Sequence, residues 1–234
     1  MSREKRFAMV LFWVGFGHIE YKYDMKINTL CFDKMLRHNT PLQIKKQVEA
    51  NMHCSKVVFA PDKQKLTLEL KDEEHKLLSY PCVYRWLVPK DKAVSILGDE
   101  SLLNKLEKKE INETPYYVLY FGKSVSGKTR ILSQHLRDTI ETSTLRRTLY
   151  SLLYNTDLNA IEQDIEPYFI GTYFEWLQFD KEDEKELIVC IEAICVALGT
   201  YPLNIEGNPR PILIKGKSLK ELRGSINKQQ FKNK

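Results

Sequence analysis

The sequence has no apolar run long enough to cross a membrane as a helix. Its longest, residues 7–16 (FAMVLFWVGF), covers roughly half of the about 20 residues such a helix needs and reads as a buried strand. Arg3, Lys5 and Arg6 before it imitate a signal peptide, but Gly17-His18-Ile19-Glu20-Tyr21 offers no small-residue cleavage site, which points to a cytoplasmic protein. With ten Gly and nine Pro in 234 residues, collagen-like and low-complexity classes are excluded. No internal repeat announces a solenoid. Cys31, Cys54, Cys82, Cys190 and Cys195 form no CxxC pair, which argues against a closed zinc site or a disulfide framework and leaves reduced packing residues. His18, His38, His53 and His75 lack metal-ligand spacing. Charge of one sign is scarce except at one end: the net charge is +5, yet the last 20 residues hold seven basic side chains and one acid, so residues 1–214 carry −1. A basic tail beside a nearly neutral body suits a polyanionic partner.

What remains is a globular mixture, 43% apolar and 29% charged, sized for one domain or a small domain with an appendage. Ile19, Tyr21, Tyr23, Met25 and Ile27 alternate with period two and predict a half-buried strand. Thr40-Pro41 supplies an N-cap and a first helical residue for the apolar positions Leu42, Ile44, Val48 and Met52. Residues 56–60 and 66–70, joined through Pro61-Asp62-Lys63, predict a hairpin. The charged residues 71–76 then mark a boundary, leaving 1–79 as an N-terminal β-rich appendage. Further along, YPCVYRWLV (80–88), YYVLYF (116–121) and YFEWLQF (173–179) are aromatic and β-branched and predict strands. Helices are expected over 93–109, over 129–140, after a cap at Ser143 or Thr144, and from the acidic 180–186 to Leu198, with Gly199 closing the last.

Two patterns compete for one loop. Gly122-Lys123-Ser124-Val125-Ser126-Gly127-Lys128-Thr129 fits GxxxxGK[ST] between a strand and a helix. In a P-loop, backbone amides cradle phosphates, Lys128 neutralises the outer two and Thr129 holds Mg²⁺. Such a domain also needs an alternating βα series, and after Thr129 only one strand ends in an acid, at Asp180.

The other reading uses an ordered set: Cys82-Val83-Tyr84, Tyr120-Phe121-Gly122, SQHL ending at Leu136, STLRRTL from Ser143 to Leu149, and PLNIEGN from Pro202 to Asn208. Together these resemble the GIY-YIG nucleases, most closely the restriction-enzyme-like branch, with Tyr84 at the GIY position and Tyr120 at the YIG position. The resemblance implies an α+β fold, a small antiparallel sheet flanked by helices, over residues 80–214, with 215–234 as a basic tail. It implies Tyr84 as base or orienter, Arg130 as charge stabiliser, Tyr120 and His135 as hydrogen-bonding or proton-shuttling groups, and Glu192 as the Mg²⁺ ligand. Glu192 stands twelve residues before Asn204, among Ile188, Val189, Ile191, Ile194 and Val196. Lys123, Lys128, Arg146, Arg147 and Asn204 complete the expected DNA contacts.

The pattern departs from the family in three places. Cys82 stands where glycine is usual, and the tyrosines are 36 residues apart, which makes 88–114 an insertion. Arg130 and His135 are five residues apart rather than four, which in a regular α-helix turns the side chains well apart. The resulting expectation is a Mg²⁺-dependent endonuclease of the type II restriction kind acting on double-stranded DNA, compatible with a homodimer. A P-loop nucleotide-binding protein and an inactive DNA-binding module are the alternatives.

Overall fold

The run CVYRWLVP forms β3 (Cys82–Pro89), whose first seven residues are all buried. Apolar and β-branched side chains on both faces suit a strand covered from both sides. The structure, a computed structural model, describes residues 36, 38–61, 65–137, 142–154, 162–179, 185–205, 208–209, 211–214 and 216–224. The strands expected over 7–16 and 19–27 lie outside the described residues. β5 (Thr114–Ser124) and β6 (Tyr173–Gln178) flank β3, both antiparallel to it. Outside them lie β1 (His53–Ala60), β2 (Lys65–Leu68) and β4 (Lys108–Ile111), giving the order β2-β1-β6-β3-β5-β4. β1 and β2 form the expected hairpin, and β1 pairs with β6 through His53 opposite Trp176, so residues on both sides of position 80 share one sheet.

Alternation along β3 sends Tyr84, Trp86 and Val88 into one core and Val83 and Leu87 into the other. The first face is covered by α3 (Lys90–Leu97), a helical segment at Lys128–His135, and α4 (Thr144–Tyr154). The second is covered by α1 (Pro41–Ala50) and α5 (Lys185–Leu198); the short α2 spans Asp72–Leu77. α1 begins as its sequence dictates. Thr40 Oγ1 accepts from the Gln43 amide (3.3 Å) and Gln43 Oε1 takes the Thr40 amide (2.8 Å), a capping box.

Two expectations are corrected. The helix expected over 93–109 stops at Gly98, whose φ of 73° ends α3; a 3₁₀ turn (Glu100–Lys105) follows, and Lys108 and Lys109 are already in β4. The leucines that suggested helix, Leu102, Leu103 and Leu106, are buried all the same. The basic tail is not wholly a tail: α6 (Leu219–Gly224) buries Leu219 and Leu222 in the same core as Tyr84.

Charge is also buried, in balanced form. On the α1 side of the sheet, fully buried Glu175 accepts from Arg85 Nε (2.6 Å) and pairs with Lys109. Arg85 reaches Glu49 (2.9 Å), and Lys45 bridges Glu49 (2.6 Å) and Glu107 (2.7 Å), which ties α1 to the sheet. Removing one partner of such a network strands the others away from water. Glu175→Ala is therefore expected to lower the unfolding free energy by about 3–5 kcal/mol, read by urea denaturation.

Candidate active site

Strand pairing brings the two tyrosines together. Tyr84 faces Gly122 across the β3–β5 ladder and Trp86 faces Tyr120, but Leu87 faces Val118, so Leu119 is an extra, bulged residue. Tyr120, two residues from Gly122 in the regular part of the ladder, shares the face of Tyr84, and the bulge beyond it turns Val118 to the other face, opposite Leu87. The ring centroids of Tyr84 and Tyr120 lie 6.0 Å apart, with the rings tilted by 41°. Gly122 leaves room for both rings: a Cβ there would stand 2.8 Å from Tyr84 Cζ and 2.9 Å from Tyr120 Cε1. That is the physical reason for glycine after Tyr120-Phe121.

The segment Lys128–His135 is a π-helix, in which Leu136 N–H donates to Ile131 O five residues back (3.0 Å). Wider winding brings residues five apart onto a common face, as α-helical winding does for residues four apart. The extra residue between Arg130 and His135 is thereby absorbed. His135, fully buried, places Nε2 2.8 Å from Tyr84 Oη, and its ring is tilted against Tyr84 and edge-on to Tyr120. Arg130 is half-exposed, close enough for its charge to act on Tyr84, Tyr120 and His135. Burial pushes the Tyr84 phenol well above its ordinary value, with Arg130 opposing, and raises Tyr120 as well. Burial, then the charges of Arg130 and Arg146, hold His135 well below the usual histidine range, so its imidazole is neutral.

Glu192 lies half-buried on α5, paired with Lys123 of β5, and its charge reaches Tyr120. Among the described residues no three His, Cys, Asp or Glu side chains converge to hold a metal. A single hard carboxylate still fits Mg²⁺, which keeps several waters and binds through one or two carboxylates plus phosphate oxygens.

Other expected contacts are placed differently. Arg146 is buried, donating Nη1 to His135 O (3.3 Å) and lying 5.9 Å over the Phe169 ring, so it is a core residue rather than a surface phosphate grip. Arg147 is half-buried on the same helix and Lys128 is exposed. Asn204 accepts from Phe121 N–H (2.9 Å) and donates to Phe121 O (2.7 Å), so both ends of its amide hold β5 instead of facing DNA. Ser143, expected only as a cap, does more: its Oγ accepts the Arg146 amide (3.1 Å) and lies 2.7 Å from His135 Nδ1. Its capping role was visible in the sequence, but nothing there joined it to His135.

The same loop overturns the P-loop expectation. Lys128 N–H donates to Leu78 O (2.6 Å), Gly127 N–H to Tyr80 O (3.4 Å), Ser126 N–H to Ser124 Oγ (3.1 Å) and Thr129 N–H to Ser126 Oγ (3.3 Å). Amides that would cradle a phosphate are thus engaged within the chain. Every strand pairing among the described residues is antiparallel, whereas a P-loop domain needs further parallel strands.

The antiparallel sheet thus carries two tyrosines, the π-helix beside it an arginine and a histidine, and a later helix a carboxylate. The family model of the GIY-YIG catalytic domain matches residues 82–225, and the chain belongs to this family of nucleases, as an endonuclease acting on DNA. No curated protein and no solved structure matches the chain.

Proposed function

We propose that the protein is a type II restriction-type endonuclease that uses Mg²⁺ to hydrolyse phosphodiester bonds of double-stranded DNA. The observation that carries this reading is the convergence of Tyr84, Tyr120, His135 and Arg130 on one face of the sheet, inside a domain of the nuclease family. Tyr84, hydrogen-bonded to His135, orients the attacking water and receives its proton. The Arg130 guanidinium holds two phosphate oxygens while negative charge builds on them. Tyr120 steadies the Tyr84 hydroxyl. Glu192 would hold Mg²⁺, which when bound would supply positive charge against the developing negative charge. Lys123, Lys128 and Arg147 meet the DNA backbone, and residues 1–79 contribute to sequence reading.

A homodimer is the assembly that cutting both strands of a symmetric site calls for. A cytoplasmic location agrees with the free thiols of Cys54, Cys82, Cys190 and Cys195, and among the described residues no helix is long and apolar enough to cross a membrane. Linear DNA of known sequence, digested with Mg²⁺, tests the restriction role. Discrete fragments support it, and a continuous smear replaces it with nonspecific cleavage.

In the free protein Glu192 already has a cationic partner, so Mg²⁺ has to displace Lys123. Lys123→Ala should tighten divalent-ion binding by about 1 kcal/mol, roughly fivefold, since the competing ammonium is partly solvated. Electron paramagnetic resonance of Mn²⁺ titrated into the DNA-free protein reads this directly. Unchanged Mn²⁺ affinity would place the metal elsewhere.

A further inference from the structure

The hydrogen bonds around His135 run past the tyrosine and end on α4. Nε2 meets Tyr84 Oη (2.8 Å) and Nδ1 meets Ser143 Oγ (2.7 Å), so both ring nitrogens are engaged in a fully buried site. Ser143 Oγ has two acceptor positions, and the Arg146 amide takes one (3.1 Å). A neutral imidazole carries one proton, and which nitrogen holds it decides what His135 can do for Tyr84. A phenol is a stronger proton donor than a serine hydroxyl, and the unprotonated imidazole nitrogen is the strongest acceptor in the group. The favoured arrangement sets Tyr84 O–H toward Nε2 and Nδ1–H toward the second acceptor position of Ser143.

We propose that Ser143 is a positioning residue of the cleavage reaction, accepting the Nδ1–H of His135 so that Nε2 faces the Tyr84 hydroxyl as a proton acceptor. This rests on the nuclease reading above. In the reaction, the water proton passes to Tyr84 Oη as the phenolic proton passes to Nε2. The bond from the water oxygen to phosphorus forms and the bond to the departing sugar oxygen breaks. That oxygen takes a proton from solvent water, and His135 later returns its proton through Tyr84 to solvent. An acceptor behind Nδ1 is the arrangement by which a buried histidine is kept in its basic tautomer. The charged and titratable groups facing His135 are Tyr84 from β3, Tyr120 from β5, Arg130 from its own helix and Arg146 from α4, with Phe174 of β6 stacked on the ring. Among the described contacts none of these meets Nδ1, and Ser143 Oγ does.

Capping and tautomer control separate by substitution. Ser143→Gly keeps most of the capping preference, since glycine is tolerated at an N-cap, but deletes the hydroxyl. Ser143→Thr keeps both, and Ser143→Asp keeps the cap with an acceptor that is also charged. With melting temperatures confirming that each variant folds, cleavage should fall about 10²-fold in Ser143→Gly and stay within a few-fold in Ser143→Thr. In Ser143→Asp the acid limb of the pH–rate profile should move up by roughly 1–3 units, because a carboxylate beside the ring favours imidazolium. Wild-type rates and pH profile in Ser143→Gly, or equal losses in Ser143→Gly and Ser143→Thr, would overturn the proposal. ¹⁵N spectra of histidine-labelled, DNA-free protein keep this separate from the nuclease reading. His135 should show a protonated Nδ1 in the wild type and lose that preference in Ser143→Gly, whether or not any DNA is cut. Identical spectra would sink the role of Ser143 alone.

Discussion

Arg130→Ala and Arg130→Lys are both expected to cleave DNA at least two orders of magnitude more slowly than the wild type, with much smaller losses of DNA affinity. The expectation starts from geometry. π-helical winding sets Arg130 on the face of His135, where its charge is felt by Tyr84, Tyr120 and His135 together. A guanidinium there can engage two oxygens of one phosphate, and its worth grows as negative charge develops in the transition state. Lysine keeps the charge but not the fork, so it should not rescue. Single-turnover rates measured beside filter-binding affinities separate the two effects. A lysine variant with wild-type rate would show that only charge is needed. A wild-type rate in Arg130→Ala would remove this helix from the chemistry.

Glu192→Gln is the second large effect: cleavage should be lost by two or more orders of magnitude while folding and DNA binding persist. The amide keeps the size and hydrogen-bonding capacity of the carboxylate but not the charge that holds a divalent ion. Loss of the Lys123 partner is a small matter for stability, because the pair is partly solvated. DNA binding should even strengthen slightly, since one negative charge leaves the site and Lys123 is freed for phosphate. Cleavage at the wild-type rate in limiting Mg²⁺ would move the ligand to another carboxylate, with Glu186 the next to test.

Much of this architecture was legible in the sequence, for identifiable reasons. β3, β5 and β6 are aromatic and β-branched runs that no helix face would tolerate, and Thr40-Pro41 carries its capping chemistry in two residues. Position 192 stood out because a carboxylate amid isoleucine and valine needs a partner, and the structure gives it Lys123. The π-helix was not legible: a single extra residue has no signature in a hydrophobic pattern that assumes α-helical winding. Nor was the bulge at Leu119, which requires the pairing of two strands to be known. Arg146 looked like a surface cation because its burial depends on Phe169 and on the His135 carbonyl, both outside α4. Asn204 was tied to the site by its motif, but its use as a backbone clamp depends on β5, 83 residues away. The P-loop likeness failed for a related reason: a pattern of glycines and a lysine does not say where the loop's amides point, and here they point at residues 78 and 80.

Tyr84, Tyr120, Arg130, His135 and Glu192 are expected to cut DNA as one site. Supercoiled plasmid incubated with wild type, Arg130→Ala and Lys128→Ala, in Mg²⁺ and in EDTA, with ATP turnover followed on the same preparations, is the decisive assay. Nicked and linear DNA is expected from wild type and Lys128→Ala in Mg²⁺ only, none from Arg130→Ala, and no ATP turnover from any of them. ATP turnover abolished by Lys128→Ala, with the plasmid left intact by the wild type, would contradict it.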